Sequence, residues 1–379
     1  MKDLTPIFSD NEMFYCSVPV PSINAHKGAD FDFTAEQIAG YGQSQTHPSI
    51  VYIPDGWNGH KYWLATTPYP HAIDVFENPC IYYGDEDADG NPPRIFHPIN
   101  GVVSGDYIMT ENPVVKVFAT TDVNSDPDLL FDSANQMLYM ISRKNAWSMG
   151  YPTFVQKSLS GQAWTQRGET VAESIINGND IPGGGGQPAL IKYGDKFRFY
   201  YNLAGLSKPN EASGNGLASI NMIEGTSLSL PSDFAFFKKI FMGGKSTIHS
   251  YHIDVFIDDV KNKYYLIFCG FNMNIDSTAR FVYLAESEDG NTWYMFPRPL
   301  LSDCSKAGAY YRPTACIRQS DRMLIVYWST TSGISSNPAD YPNGASDVPV
   351  DGRTIGLSYG NFDAILARLK EDFVTNKLD

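Results

Sequence analysis

Polar side chains that can bind sugars or move protons recur at equivalent points along the chain. They lie just before or after a position that is proline in four repeats and isoleucine in a fifth. Carboxylates accept hydrogen bonds from hydroxyl groups, arginine donates them, and glutamine does both. Carboxylates and histidine also serve as general acids and bases. The predicted ligand-binding residues, including three expected nearby, are His47, Glu77, Asn78, Asp126, Asp128, Arg143, Gln187, His252, Asp254 and Arg312.

The spacing of these residues does not predict a metal or cofactor site. His249 and His252 are three apart, a spacing that brings ligands together on a helix, but this segment predicts a strand. A hydrogen-bonded pair of His252 and Asp254 is the plainer interpretation, with a metal or water site as the weaker alternative. The sequence has no nucleophile elbow, zinc-protease motif or phosphate loop. We therefore expect no cofactor, no metal ligand and no catalytic residue.

The elements that must position these side chains are five pairs of strands. Each pair joins an alternating apolar segment to an aromatic one through a short turn, which is typical of a β-hairpin. The five first segments are THPSIVYI, SDPDLLFD, GQPALIKY, YHIDVFID and YRPTACIR. Their anchor positions, 60 to 79 residues apart, are Pro48, Pro127, Pro188, Ile253 and Pro313.

Five such units, each with three or four antiparallel strands, predict an all-β fold, the five-bladed β-propeller. The whole chain, 1–379, is then one domain, with blades that begin near residues 46, 125, 186, 251 and 311. The first strand of each blade lines the central channel, so the polar strand starts should meet at one mouth. Two separate domains are the weaker alternative, because no polar linker divides the repeats.

The ends of the chain are expected to complete the ring. The fifth unit lacks an outer strand, which MFYCSVPV in segment 1–45 could supply while the segment packs on the propeller. NFDAILARLKEDF predicts a short C-terminal helix. Residues 97–120 are expected to be an insertion before blade two, and 329–353 a loop across blade five.

Composition and charge exclude several classes of protein. The net charge is -14, from 28 basic and 42 acidic residues, and no basic block occurs. Nucleic-acid binding is therefore not expected, because its affinity comes mainly from phosphate neutralisation. No apolar run is long enough to span a membrane, and the N-terminal residues do not resemble a secretory signal. The 5 cysteines form no CxxC pair and are interpreted as buried free thiols.

Two turns and the strand starts resemble known carbohydrate-related propellers. SEDGNTW, ending at Trp293, and SLSGQAW, ending at Trp164, resemble the Asp-box turn of sialidases, a structural element. The five units resemble the arabinanase and xylosidase group of glycoside hydrolases, whose members use three carboxyl groups from the first three blades. His47 and Gln187 stand where two of those carboxyl groups are implied, and Glu77 or Glu173 could substitute only through geometry. Enzymatic activity is therefore uncertain and not favoured.

HPSIVYIPDGWNGHKYWLATTPYP, FENPCIYYG and YHIDVFID also resemble propeller proteins of tailed bacteriophages. That resemblance implies a tail fibre or baseplate protein that binds cell-surface carbohydrate. It implies a virion component made in the host cytoplasm, with a surface glycan and other tail proteins as partners and a homo-oligomer allowed. An active glycoside hydrolase and a purely structural virion component are the alternatives.

Aromatic residues at the blade edges are candidate sugar platforms, and core packing is the competing interpretation. They are Tyr62, Trp63, Tyr69, Trp147, Tyr251, Tyr310, Tyr311 and Trp328. If the polar ring binds ligand and is not structural, Asp126→Ala and Arg312→Ala should weaken binding by about 1–3 kcal/mol. The melting temperature should then stay nearly unchanged.

Overall fold

Alternating apolar strands joined by tight turns build the molecule, in agreement with the sequence pattern. The structure is a computed structural model. The residues it describes are 5–26, 34–35, 44–115, 123–145, 153–166, 185–203, 220–228, 238–239, 241–243, 248–272, 276–302, 310–331, 335–349 and 351–375. Trp147, Glu173 and Cys304 lie outside these ranges, and the side chains of Gln187 and Tyr251 are also outside the description.

Each repeat forms one antiparallel blade, and strands are numbered in chain order after the short N-terminal strand β1 (Phe14–Tyr15). Blade one contains β2 (Gln45–Trp57), β3 (His60–Pro68), β4 (Cys80–Gly84) and β5 (His97–Pro98). A two-stranded ribbon joins β6 (Tyr107–Met109) to β10 (Trp164–Thr165), and blade two contains β7 (Val123–Asp132), β8 (Met137–Asn145) and β9 (Thr153–Ser158). Blade three contains β11 (Gly185–Tyr193), β12 (Lys196–Leu203), β13 (Ile220–Gly225) and β14 (Lys238–Lys239).

The last two blades include strands from outside their own repeats. Blade four contains β15 (Phe241–Gly243), β16 (Ile248–Asp258), β17 (Lys263–Asn272), β18 (Asp276–Ser287) and β19 (Thr292–Met295), with β15 parallel to β19. Blade five contains β20 (Tyr310–Arg318), β21 (Met323–Thr330), β22 (Ile355–Asn361) and β1. Phe14 pairs with Leu357 in the antiparallel contact of β1 with β22, so the N-terminal segment closes blade five.

The five inner strands form a closed ring. Each of β2, β7, β11, β16 and β20 contacts the inner strands on both sides, including β20 with β2. The predicted fold class, an all-β five-bladed propeller with a short C-terminal helix, is confirmed. Because the inner strands converge on one axis, residues at their starts meet even when they are far apart in sequence.

The C-terminal helix α1 (Phe362–Thr375) follows β22 directly and packs against blades four and five. Asn361 Oδ1 accepts a hydrogen bond from the backbone N–H of Ala364, which caps the start of the helix. Phe362, Ile365 and Leu369 are buried in the same apolar cluster as Tyr265 and Trp328. The apolar stripe of the helix therefore packs against residues of the last two blades. No helix among the described residues is long and apolar enough to cross a membrane.

The two predicted tryptophan turns are structural. Asp289 Oδ1 accepts hydrogen bonds from the backbone N–H groups of Asn291 and Thr292, and Ser287 Oγ accepts one from Gly290. Trp293 is fully buried beneath this turn. Trp164 is likewise buried, and its indole N–H donates to the carbonyl oxygen of Gly161.

The 329–353 loop extends beyond the predicted blade-five surface and reaches the N-terminal segment and blade one. Tyr341 stacks on Tyr15, with ring centroids 4.8 Å apart, and Asp347 accepts a hydrogen bond from Ser17. Asp351 accepts one from Ser44 at the start of blade one. Cys16, Cys80 and Cys269 are buried free thiols, as interpreted from the sequence.

Candidate active site

A bulge interrupts each inner strand near its start, where the predicted site residues lie. The pairing with the second strand shifts register between Thr46 and Ser49 in blade one and between Ser125 and Asp128 in blade two. Equivalent shifts occur in the other three blades. His47 and Asp126, each before an anchor proline, have left-handed backbones with φ of 52°. Bulges re-aim side chains, and such strain in residues other than glycine is concentrated at functional sites.

Three of the predicted site residues, from three different blades, converge at this mouth. His47 Nε2 lies 3.5 Å from Asp126 Oδ1, and His252 Nδ1 lies 3.2 Å from the same oxygen. One ligand atom from each of the three lies within 4.8 Å of the others. All three side chains are buried. We call His47, Asp126 and His252 the triad.

The orientation of His47 is fixed from the opposite side of its ring. His47 Nδ1 lies 2.7 Å from Thr67 Oγ1 and 3.4 Å from Glu77 Oε1. A proton on Nδ1 is therefore well accommodated by these two acceptors, and the lone pair then lies on Nε2, facing Asp126. Partners of this kind orient metal-binding histidines and raise their basicity.

Asp126 is held by two arginines. Arg143 forms an ion pair of 2.7 Å with Asp126 Oδ2, and Ser125 Oγ donates to the same oxygen. Arg312 lies 3.7 Å from Oδ1 through its Nη1 atom. Oδ2 is thus used by the protein, whereas Oδ1 faces the two histidines.

The electrostatics give the triad the protonation state that a metal requires. Burial lowers the pKa of His47 well below its ordinary value, against the opposing charge of Asp126. Burial likewise lowers the pKa of His252 to about 4. Burial alone would raise the pKa of Asp126, but the charge of Arg143 opposes it most strongly, and that pKa is held well below its ordinary value. At neutral pH both histidines are neutral and Asp126 is ionised, as metal ligands must be.

The triad fits a divalent first-row metal ion. Two ligands of a tetrahedral zinc ion, each about 2.1 Å from it, lie about 3.4 Å apart, close to the two distances from Asp126 Oδ1. Among the described residues, neither His47 Nε2 nor Asp126 Oδ1 has a partner with regular hydrogen-bond geometry. Two histidines and one carboxylate are a common ligand set for catalytic zinc and related metals. The expectation of no metal ligand is therefore not supported by this geometry.

A second layer of charges lies below the triad. Arg312 is fully buried; its Nη2 donates to Asp128 Oδ1 over 3.2 Å and to the carbonyl oxygen of Pro188 over 3.1 Å. Asp128 also accepts from Ser49 and from the backbone N–H of Leu190. Burial and the nearby charge of Asp254 raise the pKa of Asp128 well above its ordinary value.

Asp254 is anchored in the same layer. It accepts hydrogen bonds from Thr314 Oγ1 and from the backbone N–H of Ala315. Burial raises the pKa of Asp254 too. Asp128, Asp254 and Arg312 were predicted to contact a glycan, but in the structure their side chains are bonded to neighbouring inner strands and join these strands to one another. Arg312 lies between this layer and the triad, 3.7 Å from Asp126 and 3.2 Å from Asp128.

Of the remaining predicted residues, some lie beside the triad and others do not. Glu77 and Arg143 are beside the triad, as expected. Asn78 is fully buried, where it donates to the carbonyl oxygen of Val75 and accepts from Asn124, so its role is structural. Gln187 lies in β11, and its side chain is outside the description.

Sequence reasoning missed Thr67 and the pairing of His47 with His252. Thr67 lies near the end of β3, and nothing in the residue pattern marks it as a neighbour of His47. The two histidines lie on blades one and four, so no local spacing connects them. Alignment of the five anchors was the one available signal, and it did identify both positions.

Comparison of the sequence with known proteins finds one short match. No family model matches the chain. A short segment is 44% identical over 36 residues to an A type blood N-acetyl-alpha-D-galactosamine deacetylase of Flavonifractor plautii. That match takes in 10% of this chain and 5% of the relative's length.

Similar solved structures cover nearly the whole chain. An N-acetylgalactosamine deacetylase from F. plautii, in complex with blood group B trisaccharide, has a TM-score of 0.69 and 18% identity, covering 95% of this chain and 97% of that one. A thermostable family-43 glycoside hydrolase has a TM-score of 0.53 and 12% identity, covering 83% of this chain and 88% of that one. The GH62 α-L-arabinofuranosidase domain of Coprinopsis cinerea has a TM-score of 0.51 and 14% identity, covering 92% and 98%.

These likenesses correct the functional prediction. The prediction of a bacteriophage tail protein that binds carbohydrate without hydrolase activity is contradicted, because the similar structures are carbohydrate-acting enzymes. The alternative, an active enzyme of the glycoside hydrolase type, is better supported. The five-bladed propeller fold, related to that of family-43 and family-62 glycoside hydrolases, is confirmed.

Proposed function

We propose that this protein is a carbohydrate-active hydrolase that removes an N-acetyl group from a sugar, using a divalent metal ion held by His47, Asp126 and His252. The observation that carries the proposal is the convergence of three buried ligand atoms from three blades within 4.8 Å. The deacetylase similar in structure to 95% of the chain supports the choice of substrate.

In this reaction the amide C–N bond of the N-acetyl group breaks and a bond forms between the acyl carbon and the oxygen of water. Acetate leaves, and the amine takes up a proton to become ammonium. A divalent ion supplies Lewis acidity, which polarises an acyl carbonyl and makes water a stronger acid near neutral pH.

The residues of the chain hold the site in the required state. Thr67 and Glu77 keep the proton of His47 on Nδ1, so that Nε2 remains a donor of its lone pair. Arg143 binds Asp126 Oδ2 and leaves Oδ1 turned towards the histidines. Arg312, buried below, lies 3.7 Å from Asp126 Oδ1 and balances the charge of this carboxylate.

Cleavage of a glycosidic bond is the second candidate, favoured by the shared fold and by two carboxylates, Glu77 and Asp126, at the same mouth of the channel. Inverting hydrolysis needs two carboxyl groups roughly 6.5–9.5 Å apart with room for water between them. Here the His47 ring lies between the carboxylates, 3.4 Å from one and 3.5 Å from the other, and fills that space. Asp126, with its strongly lowered pKa, is also unable to act as the general acid.

The test measures metal uptake and products separately. Purified protein, stripped with chelator, should bind Zn²⁺ or Mn²⁺ in calorimetry and then release acetate from an N-acetylhexosamine panel. His252→Gln should lose both properties, whereas His60→Gln, which removes a histidine beside Asp85 at the other end of β3, should keep both. Reducing-sugar release without metal uptake or acetate would replace this proposal with the second candidate.

A further inference from the structure

Two half-buried tyrosines lie against the triad. The ring centroid of Tyr311 is 5.0 Å from that of His47 and 4.5 Å from that of His252. The ring of Tyr69, just after β3, is 6.3 Å from His47 with an interplanar angle of 30°. Both rings are partly accessible to solvent.

The other aromatic candidates are placed differently. The four blade-edge aromatics that are fully buried in the apolar core are Tyr62, Trp63, Tyr310 and Trp328. Of the candidate platforms whose side chains the structure describes, Tyr69 and Tyr311 therefore combine exposure with proximity to the triad. Core packing accounts for the first group, whereas the second group lies partly exposed beside the triad.

Each tyrosine is also held by an arginine. The guanidinium carbon of Arg353 lies 5.0 Å from the ring centroid of Tyr69, and that of Arg280 lies 5.5 Å from the centroid of Tyr311. Arg353 is itself fixed by a 2.6 Å ion pair with Asp351, which accepts a hydrogen bond from Ser44. Contacts of this kind restrict the motion of the rings and so reduce the entropy lost on ligand binding.

Building on the function proposed above, we propose that Tyr69 and Tyr311 are the aromatic walls that bind the sugar ring and direct its N-acyl group into the triad. The ligand class is an N-acylated hexopyranoside. The C–H groups on one face of a pyranose carry partial positive charge, which suits the negative face of an aromatic ring. The polar groups of the triad then contact the acyl group at the mouth of the channel. Other ligand pockets likewise combine apolar walls with a few polar contacts.

The experiment compares truncation with loss of the hydroxyl group alone. Tyr311→Ala and Tyr69→Ala should each raise the KM for an N-acetylhexosaminide about tenfold, because the stacking surface is removed. Tyr311→Phe and Tyr69→Phe keep the ring and should stay close to the parent protein.

Two further readings separate this inference from the proposed function. Zn²⁺ binding, measured by calorimetry, should be unchanged in Tyr69→Ala, which shows that the triad is intact in the variant. Binding of N-acetylgalactosamine and N-acetylglucosamine is measured directly by saturation-transfer NMR, without turnover. Absence of metal uptake and acetate release in the parent would overturn the proposed function. Sugar binding that is absent in the parent, or equal in the alanine variants and the parent, would overturn the aromatic walls.

Discussion

His47 and Asp126 occupy the same position in neighbouring blades, 79 residues apart in sequence, and bring Nε2 and Oδ1 to 3.5 Å. Both precede an anchor proline at a bulge, and both have a φ of 52°. An L-residue in the left-handed region is strained by roughly 1–2 kcal/mol. The same strained backbone geometry thus occurs in two blades and directs two different side chains, an imidazole and a carboxylate, to the mouth of the channel.

Replacing His47 should expose this strain. His47→Gly is expected to be about 1 kcal/mol more stable than His47→Ala, because glycine adopts a positive φ without steric cost. Urea unfolding of the two variants measures the difference. At Tyr52, which is in the same strand, the order should reverse, with Tyr52→Gly less stable than Tyr52→Ala. Equal stability of the two His47 variants would contradict a left-handed residue at this position.

Removing the charge of Asp126 should destabilise the protein as well as abolish metal binding. Asp126→Ala leaves the buried guanidinium group of Arg312 and the half-buried one of Arg143 without this partner, and breaking a buried ion pair costs about 3–5 kcal/mol. Chemical denaturation and zinc calorimetry measure the two effects. The sequence alone predicted a nearly unchanged melting temperature for Asp126→Ala, whereas the ion pairs of the structure predict a lower one.

Asp126→Asn is the matched variant, since the amide can still accept a bond from Arg143. It should lose most metal affinity while losing less stability than Asp126→Ala. An alanine variant as stable as the parent would show that the two arginines are satisfied without Asp126.

The fold was predictable because its signal is periodic. Hydrophobic alternation and the five anchors predict the blades and their inner strands, and the same alignment brings His47, Asp126 and His252 to one mouth. The depth of each side chain was not predictable: Arg312 occupies the same repeat position as the triad residues, and Asp128 lies two residues after Asp126, yet both join the layer of charges below the triad. The 2.7 Å contact of Thr67 with His47 also depends on strand pairing within blade one, which a residue pattern does not specify to this accuracy.

The turn at Asp289 should matter for stability and not for the site. Asp289→Ala removes two hydrogen bonds to backbone N–H groups and should cost about 1–2 kcal/mol, comparable to the loss of a helix cap. The neighbouring Glu288→Ala breaks only an exposed ion pair with Lys263 and should change stability by less than about 1 kcal/mol. Thermal unfolding compares the two. Loss of zinc binding in Asp289→Ala would contradict a purely structural role.

The attachment of helix α1 should weaken in acid. Arg322 and Lys261 both bind Asp363 at the start of the helix, and their hydrogen bonds lower the pKa of Asp363 to about 2. Because this folded-state pKa lies below the unfolded value of about 3.9, the contribution is present above about pH 4 and is lost as pH falls towards 2. Asp363→Asn should therefore lower the unfolding free energy at pH 6 and have a smaller effect at pH 2, as measured by urea unfolding at a series of pH values. The control is the same comparison in an Arg322→Met background. There Asp363→Asn should change the pH dependence of stability much less, because one of the two cations that lower the pKa of Asp363 is gone. An equal effect of Asp363→Asn at pH 6 and pH 2 would show that the contact does not depend on the charge of Asp363.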